Sequence, residues 1–309
     1  MTGTIARFRA VRYVAASVVA ALLLAFAPMP GDAAEPPALG KKKIIWTHGP
    51  WATGLTVTHM GKFLLEKAGY EVEMKLLDTG LAYQALGTGQ AEIWSSAYLP
   101  GQDAHINKHG DNLDILSVSY GPVPGGLVVP GYVAINSIEE LKKPDVRKMF
   151  GGRIVGIDAG SGIMAQAKKA IEQYGLDFEL VASSGAAKDA AFKAAYDKKE
   201  PIVVTSWCPH YLCALYSVKF LTDNKGIYKD SQDYHVVRKG FRTDYPRATA
   251  LLARYTLTSE KVSQMLVWME NEKVSAEQAA KRLMDQQPEL VWYLLHDLGA
   301  GLTQPANLK

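Results

Sequence analysis

Between Lys43 and Tyr98 the hydrophobic period switches repeatedly between that of a strand and that of a helix. Lys43 to Thr47 reads as a short strand. Thr56 to Ala68 places Val57, Met60, Leu64 and Leu65 on one helical face and stops at Gly69. Glu71 to Leu76 alternates strictly, the pattern of a half-exposed strand. Leu81 to Gly89 reads as a short helix and Glu92 to Tyr98 as a third strand. Strands separated by helices join through crossover connections, which give parallel strands with helices on the sheet faces.

The middle of the chain repeats this theme. Ser137-Ile138-Glu139-Glu140 is a capping box that should open a helix. Arg153 to Asp158 follows as a strand, and Gly160-Ser161-Gly162 turns into a helix over Ile163 to Tyr174 that ends at Gly175. Phe178 to Val181 and Ile202 to Ser206 are strands flanking a helix over Lys188 to Lys198. The last third is helical: Tyr245 to Tyr255, Ser259 to Asn271, and Ser275 to Leu298 interrupted by Pro288, with a second capping box at Ser275 and Gln278. Two α/β units and a helical tail predict an α/β protein of two lobes, each a mainly parallel sheet flanked by helices. Extended segments at Gly126 to Val133 and His235 to Phe241 would carry the chain across and back. The expected boundaries are 34–130 for the first part of lobe I, 131–236 for lobe II, and 237–309 for the return segment and C-terminal helices.

Residues 1–33 are set aside as a signal peptide. Arg7, Arg9 and Arg12 precede an uncharged run from Val14 to Phe26, and Gly31-Asp32-Ala33 supplies small residues before a cleavage point. That run is shorter than the roughly 20 residues needed to span a bilayer. The mature protein is therefore expected to be soluble and periplasmic. Removing those three arginines and Asp32 takes the formal charge from +3 to +1. Such a balance lacks the basic excess of a nucleic-acid binder. With 48% hydrophobic residues the chain can build a core, which excludes a disordered protein.

Catalytic signatures are absent: there is no Gly-x-Ser-x-Gly elbow, phosphate-binding Walker loop, His-Glu-x-x-His or Cys-x-x-Cys. No catalytic residue, cofactor or metal ligand is assigned. His105 and His109 have i,i+4 spacing, but Gly110 follows at once and no acidic helper fits, so they read as two solvated histidines near a helix end. Export permits a disulfide between Cys208 and Cys213, yet a helical start there would hold their Cα atoms more than about 7 Å apart. Gly160-Ser161-Gly162-Ile163-Met164-Ala165 fits the dinucleotide fingerprint between strand and helix. Nicotinamide cofactors are not expected outside the cytoplasm. The same turn presents N–H groups at a helix N-terminus and binds any small anion, including a carboxylate. A purely structural turn is the alternative.

Three aromatic residues stand at strand ends, where open α/β sheets bind ligands: Trp51, Tyr98 and Trp207. Aromatic faces hold a quaternary ammonium, which offers no hydrogen-bond donor. The alternative is that any of these rings fills a core or a lobe interface. Trp268 and Trp292 read as core, and Trp46 is left open.

Lys67-Ala68-Gly69-Tyr70-Glu71-Val72, Gly156 to Met164 (GIDAGSGIM), Val203 to Tyr211 (VVTSWCPHY) and Arg238-Lys239-Gly240-Phe241 together resemble the substrate-binding proteins of glycine-betaine-type osmoprotectant ABC importers. The resemblance spans the mature chain almost end to end. It implies a type II periplasmic binding fold that closes on a cationic methylated amine. It also implies an aromatic cage of Trp51, Tyr98 and Trp207, with the ligand carboxylate on the backbone N–H groups of Gly162 and Ile163 in the turn that begins at Ser161. Two positions depart from the family. Tyr98-Leu99-Pro100 stands where Trp-Leu-Pro is usual, and Asp103 where a histidine often grips the carboxylate. An ionised Asp103 would repel a carboxylate. Either His105 shifts in, or Asp103 faces the cation, or the ligand is choline or an amine N-oxide. The resemblance implies as partners a small cationic ligand and a membrane permease with its ATPase, with the binding protein a monomer and no enzyme. A ligand sensor without transport is the alternative.

Overall fold

The structure, a computed structural model, describes residues 35–308. Its strands and helices follow in the order β1 (Lys43–His48), α1 (Ala52–Lys67), β2 (Glu71–Leu76), α2 (Thr79–Gly87), β3 (Ile93–Leu99), α3 (Asp103–His109), β4 (Leu113–Val123) and β5 (Gly125–Pro130). Then come α4 (Pro144–Met149), β6 (Arg153–Val155), α5 (Gly162–Tyr174), β7 (Glu179–Val181), α6 (Gly185–Asp197), β8 (Val204–Trp207), α7 (Tyr211–Leu215) and β9 (Val218–Phe220). The chain closes with β10 (Ser231–Arg238), α8 (Phe241–Asp244), α9 (Pro246–Leu252), β11 (Leu257–Thr258), α10 (Ser259–Glu272), α11 (Ala276–Gln286) and α12 (Pro288–Leu295). The expected signal peptide lies outside the described residues. No helix among the described residues is long and apolar enough to cross a membrane.

The strands form two sheets, in the orders β11-β4-β10-β3-β1-β2 and β7-β6-β8-β5-β9. Crossover helices make β1, β2 and β3 parallel in the first, and β6, β7 and β8 parallel in the second. The connecting strands join antiparallel: β10 against β3 and β4, and β5 against β8 and β9. The chain passes from the first sheet to the second between Val123 and Gly125 and returns between Phe220 and Ser231. Both passages precede the extended segments expected to make them. Each sheet has its own apolar core. Ile44, Trp46, Leu64, Trp94, Phe241, Leu266 and Leu283 pack around the first sheet, and Leu127, Ile154, Phe178 and Val203 around the second.

Local chemistry explains most differences from the expected elements. Helix α1 begins at Ala52, four residues early, with Trp51 as an N-cap that makes no side-chain bond. Without a Ser, Thr, Asp or Asn cap its start carries no sequence signal. Ser137 opens only a 3₁₀ turn, Ile138–Lys142, because Pro144 restarts the helix. The Ser275 box forms as expected: Gln278 N–H donates to Ser275 Oγ, and Ser275 N–H to Gln278 Oε1. Trp46 and Trp268 are buried, but Trp292 is half-buried at the surface with His296 stacked at 4.3 Å, so it is not a core residue. Cys208 and Cys213 are disulfide-bonded, with Cα atoms 6.2 Å apart. The geometric objection fails because α7 starts at Tyr211, leaving Cys208 in the turn before it.

Candidate ligand site

Trp51, Tyr98, Ser161, Gly162, Ile163 and Trp207 line one cavity. It leaves about 50 Å³ in which the centre of a water molecule can move. A single water needs roughly 10–15 Å³ by that measure, so the space suits a molecule of a few heavy atoms. Gln102, Val123, Ile157, Gln166, Lys229 and Ser231 complete much of the wall.

The rings arrive from both sheets. Trp51 follows β1, is 4% exposed, and meets Trp94 edge to face at 6.0 Å. Its ring lies so close to Gly49 that any side chain there would collide with it. Tyr98, near the end of β3, packs 6.3 Å from Trp207 with the rings tilted by 44°. Its hydroxyl shares a 2.8 Å hydrogen bond with that of Tyr120. Burial, and then the negative charge of Asp233, push the Tyr98 phenol upward, so it stays protonated. Trp207 ends β8, is 6% exposed, and donates from Nε1 to Thr53 Oγ1 at 3.3 Å. Lys188 Nζ lies 5.2 Å from the Trp207 ring centroid, and the lysine is not part of the cavity wall.

Lys188 is fully buried and pairs with Asp189 at 2.7 Å. Burial lowers its pKa, and Asp189 opposes that shift. His210 accepts the Leu212 N–H at Nδ1 and presents Nε2 to Asp189 at 3.4 Å. An accepting Nδ1 belongs to a neutral imidazole, and burial followed by the Lys188 charge lowers His210 in the same sense. Lys188 and His210 thus both pack against the Trp207 ring, His210 edge to face at 5.2 Å.

The turn before α5 supplies the polar wall. Ser161 is the N-cap, but its hydroxyl donates to Asp158 O at 2.9 Å and makes no cap bond. The first N–H groups of α5 are thus without a side-chain partner, at the positive end of the helix dipole. Gly162 presses against the other sheet's loop: a Cβ there would lie 2.5 Å from Gly101 O. His105 Nε2 contacts Gly160 O at 3.2 Å, and the His105 ring stacks on Tyr83 at 5.0 Å. His105, at least, is therefore held rather than solvated as expected.

Asp103 is not brought to the cavity. It is the first residue of α3 and is exposed, whereas the preceding residue, Gln102, is buried and lines the wall. Gln102 accepts from Tyr83 Oη at 2.9 Å and donates to Ser96 O at 3.0 Å. The helical turn at Gln102 sends successive side chains to different sides, so Gln102 takes the inward place. Trp94 and Asp233 also escaped the sequence reading. Ser231, Asp233 and His235 are the inward residues of β10, between less buried Gln232 and Tyr234. Three polar side chains on an inner face read as a solvent face; only their unbroken period-2 spacing could have signalled otherwise.

Among the described residues no group of three or more His, Cys, Asp or Glu is placed to hold a metal ion. Residues 42–286 match the family model for the substrate binding domain of ABC-type glycine betaine transport systems. The glycine betaine/carnitine transport binding protein GbuC of Listeria monocytogenes is 37% identical over 153 residues, 48% of this chain and 51% of that protein. The match thus spans about half the length of that curated relative. Two solved structures cover more. Lactococcal OpuAC in its closed, liganded conformation with glycine betaine has a TM-score of 0.76 and 29% identity over 82% of this chain and 99% of its own. The glycine betaine/L-proline-binding protein ProX of Borrelia burgdorferi has a TM-score of 0.77 and 27% identity over 81% and 95%.

Proposed function

The chain belongs to the substrate-binding domains of ABC-type glycine betaine transport systems, with the fold of type II periplasmic binding proteins, and on that premise we propose that it captures a small quaternary ammonium or methylated amine compound. The observation that carries this reading is the meeting of Trp51, Tyr98 and Trp207, from both sheets, on one small cavity beside the uncapped start of α5. The cationic head sits among the three rings, each face contributing about 0.5–2 kcal/mol. A carboxylate at the far end accepts from the N–H groups of Gly162 and Ile163, close to Ser161. Exposed Asp103 does not oppose it there.

Micromolar binding requires about 8 kcal/mol. Three faces and two charge-assisted hydrogen bonds reach that scale when the rings are already held, because little ordering remains to be done on binding. Contacts from both sheets favour the closed arrangement, since only that arrangement makes them all at once. The loaded, closed protein is delivered in the periplasm to a membrane permease with its ATPase. Trp207→Ala is expected to weaken glycine betaine and choline by at least tenfold in titration calorimetry. Unchanged binding by a folded variant would overturn the cage.

A further inference from the structure

We propose that Asp233 is the counter-charge for the ligand's cation, a second recognition element beneath the aromatic cage. The inference rests on the reading of the cavity given above. Asp233 is 0% exposed. It is the cross-strand neighbour of Tyr98 on β3 and of Tyr120 on β4, so it shares their face of the sheet. Ser231, two residues back on the same strand, lines the cavity, which puts Asp233 one strand repeat, about 7 Å, behind the wall.

Among the described residues no cation answers this carboxylate. Ser119 donates to Oδ2, while Oδ1 has no hydrogen-bond partner. Burial pushes the carboxyl up to about 8, against the smaller pull of the Ser119 hydroxyl and of the Tyr234 and Ala97 N–H groups, which lie near without hydrogen-bonding Oδ1. The titratable groups around it are phenols: Tyr98 on β3, Tyr120 on β4, Tyr83 on α2, and Tyr255 beyond α9. His235, the next inward residue of β10, is held neutral by burial, which lowers it to about 4. Lys229 lines the cavity but is exposed at its edge. A buried carboxylate is costly unless paired. Here the remaining place for a positive charge is the cage itself. A cation bound among the rings favours ionised Asp233, so binding expels its proton.

The test is titration calorimetry of the mature protein with choline and with glycine betaine. Both carry a trimethylammonium, and neither titrates between pH 6 and 8.5. Affinity should rise with pH by up to tenfold per unit and level off above pH 8, with a proton released to buffer at pH 7. That release is read in the wild type by comparing buffers of different ionisation enthalpy, and so does not depend on any variant folding. Asp233→Asn should bind choline at least tenfold more weakly at pH 8.5, with no pH slope. The uncharged analogue 3,3-dimethylbutan-1-ol should show no slope with either protein. A flat wild-type profile without proton release, or unchanged affinity in a folded Asp233→Asn, overturns the proposal while Trp207→Ala still identifies the cage. If the wild type binds neither cation, the cage reading falls and this inference with it.

Discussion

Lys188 and Asp233 are both fully buried, and the protein treats their charges differently. Lys188 has Asp189 at 2.7 Å and a Trp207 face at 5.2 Å. Asp233 has only neutral hydrogen-bond donors. Its folded-state pKa of about 8 lies above the ordinary aspartate value near 3.9, so between those values the folded protein holds a proton that the unfolded chain has lost. The folded state binds more protons there, and this contribution to stability falls as pH rises through the window. Buried His48, His210 and His235 and half-buried His59 slope the other way: burial lowers all four, so stability tied to them is lost as pH falls below about 6.5. Above that value their contribution is constant. The ligand-free protein is therefore expected to lose melting temperature between pH 6.5 and 8, and Asp233→Asn to lose less. Parallel curves from scanning calorimetry would contradict the assignment.

At the scale of elements, the start of α5 matters most for recognition. Its glycine is not required by the backbone, since Gly162 opens an ordinary helix. It is required by the neighbouring loop, where Gly101 O leaves no room for a Cβ. Where the ligand-free lobes open and draw Gly162 away from Gly101, Gly162→Ala should leave the melting temperature nearly unchanged, because alanine is a better helix former. The same change should weaken glycine betaine at least tenfold, by holding α5 away from Gly101. Calorimetry together with a thermal melt separates the two effects; a large drop in melting temperature would show that the glycine serves the fold instead.

At the scale of the whole molecule, the two sheets touch through loops, helix starts and one helix pair. They include Gly162 on Gly101, His105 on Gly160, Trp207 on Thr53 and Tyr98, and helix α7 against α10. Among the described residues, Val123–Gly125 and the segment between Phe220 and Ser231 are the covalent connections between them. Such a design permits hinge closure about the crossing segments. Small-angle scattering should show a smaller radius of gyration on adding glycine betaine, and a weaker response in Gly162→Ala. An unchanged radius in the wild type would mean that the lobes do not open.

Periodicity determined the two α/β units, the helical tail, and the place of Trp51, Tyr98 and Trp207 at strand ends, because strand and helix spacing are local properties of the chain. The glycine turn at 160–162 was legible for the same reason. The inward position of Gln102, the exposure of Asp103 and the disulfide depended on where helices α3 and α7 begin. Helix starts without a capping residue leave little trace in sequence. Asp233 was decided by tertiary structure alone. An aspartate in an alternating strand looks solvated until two neighbouring strands, a tyrosine on each, enclose it and shut it off from water.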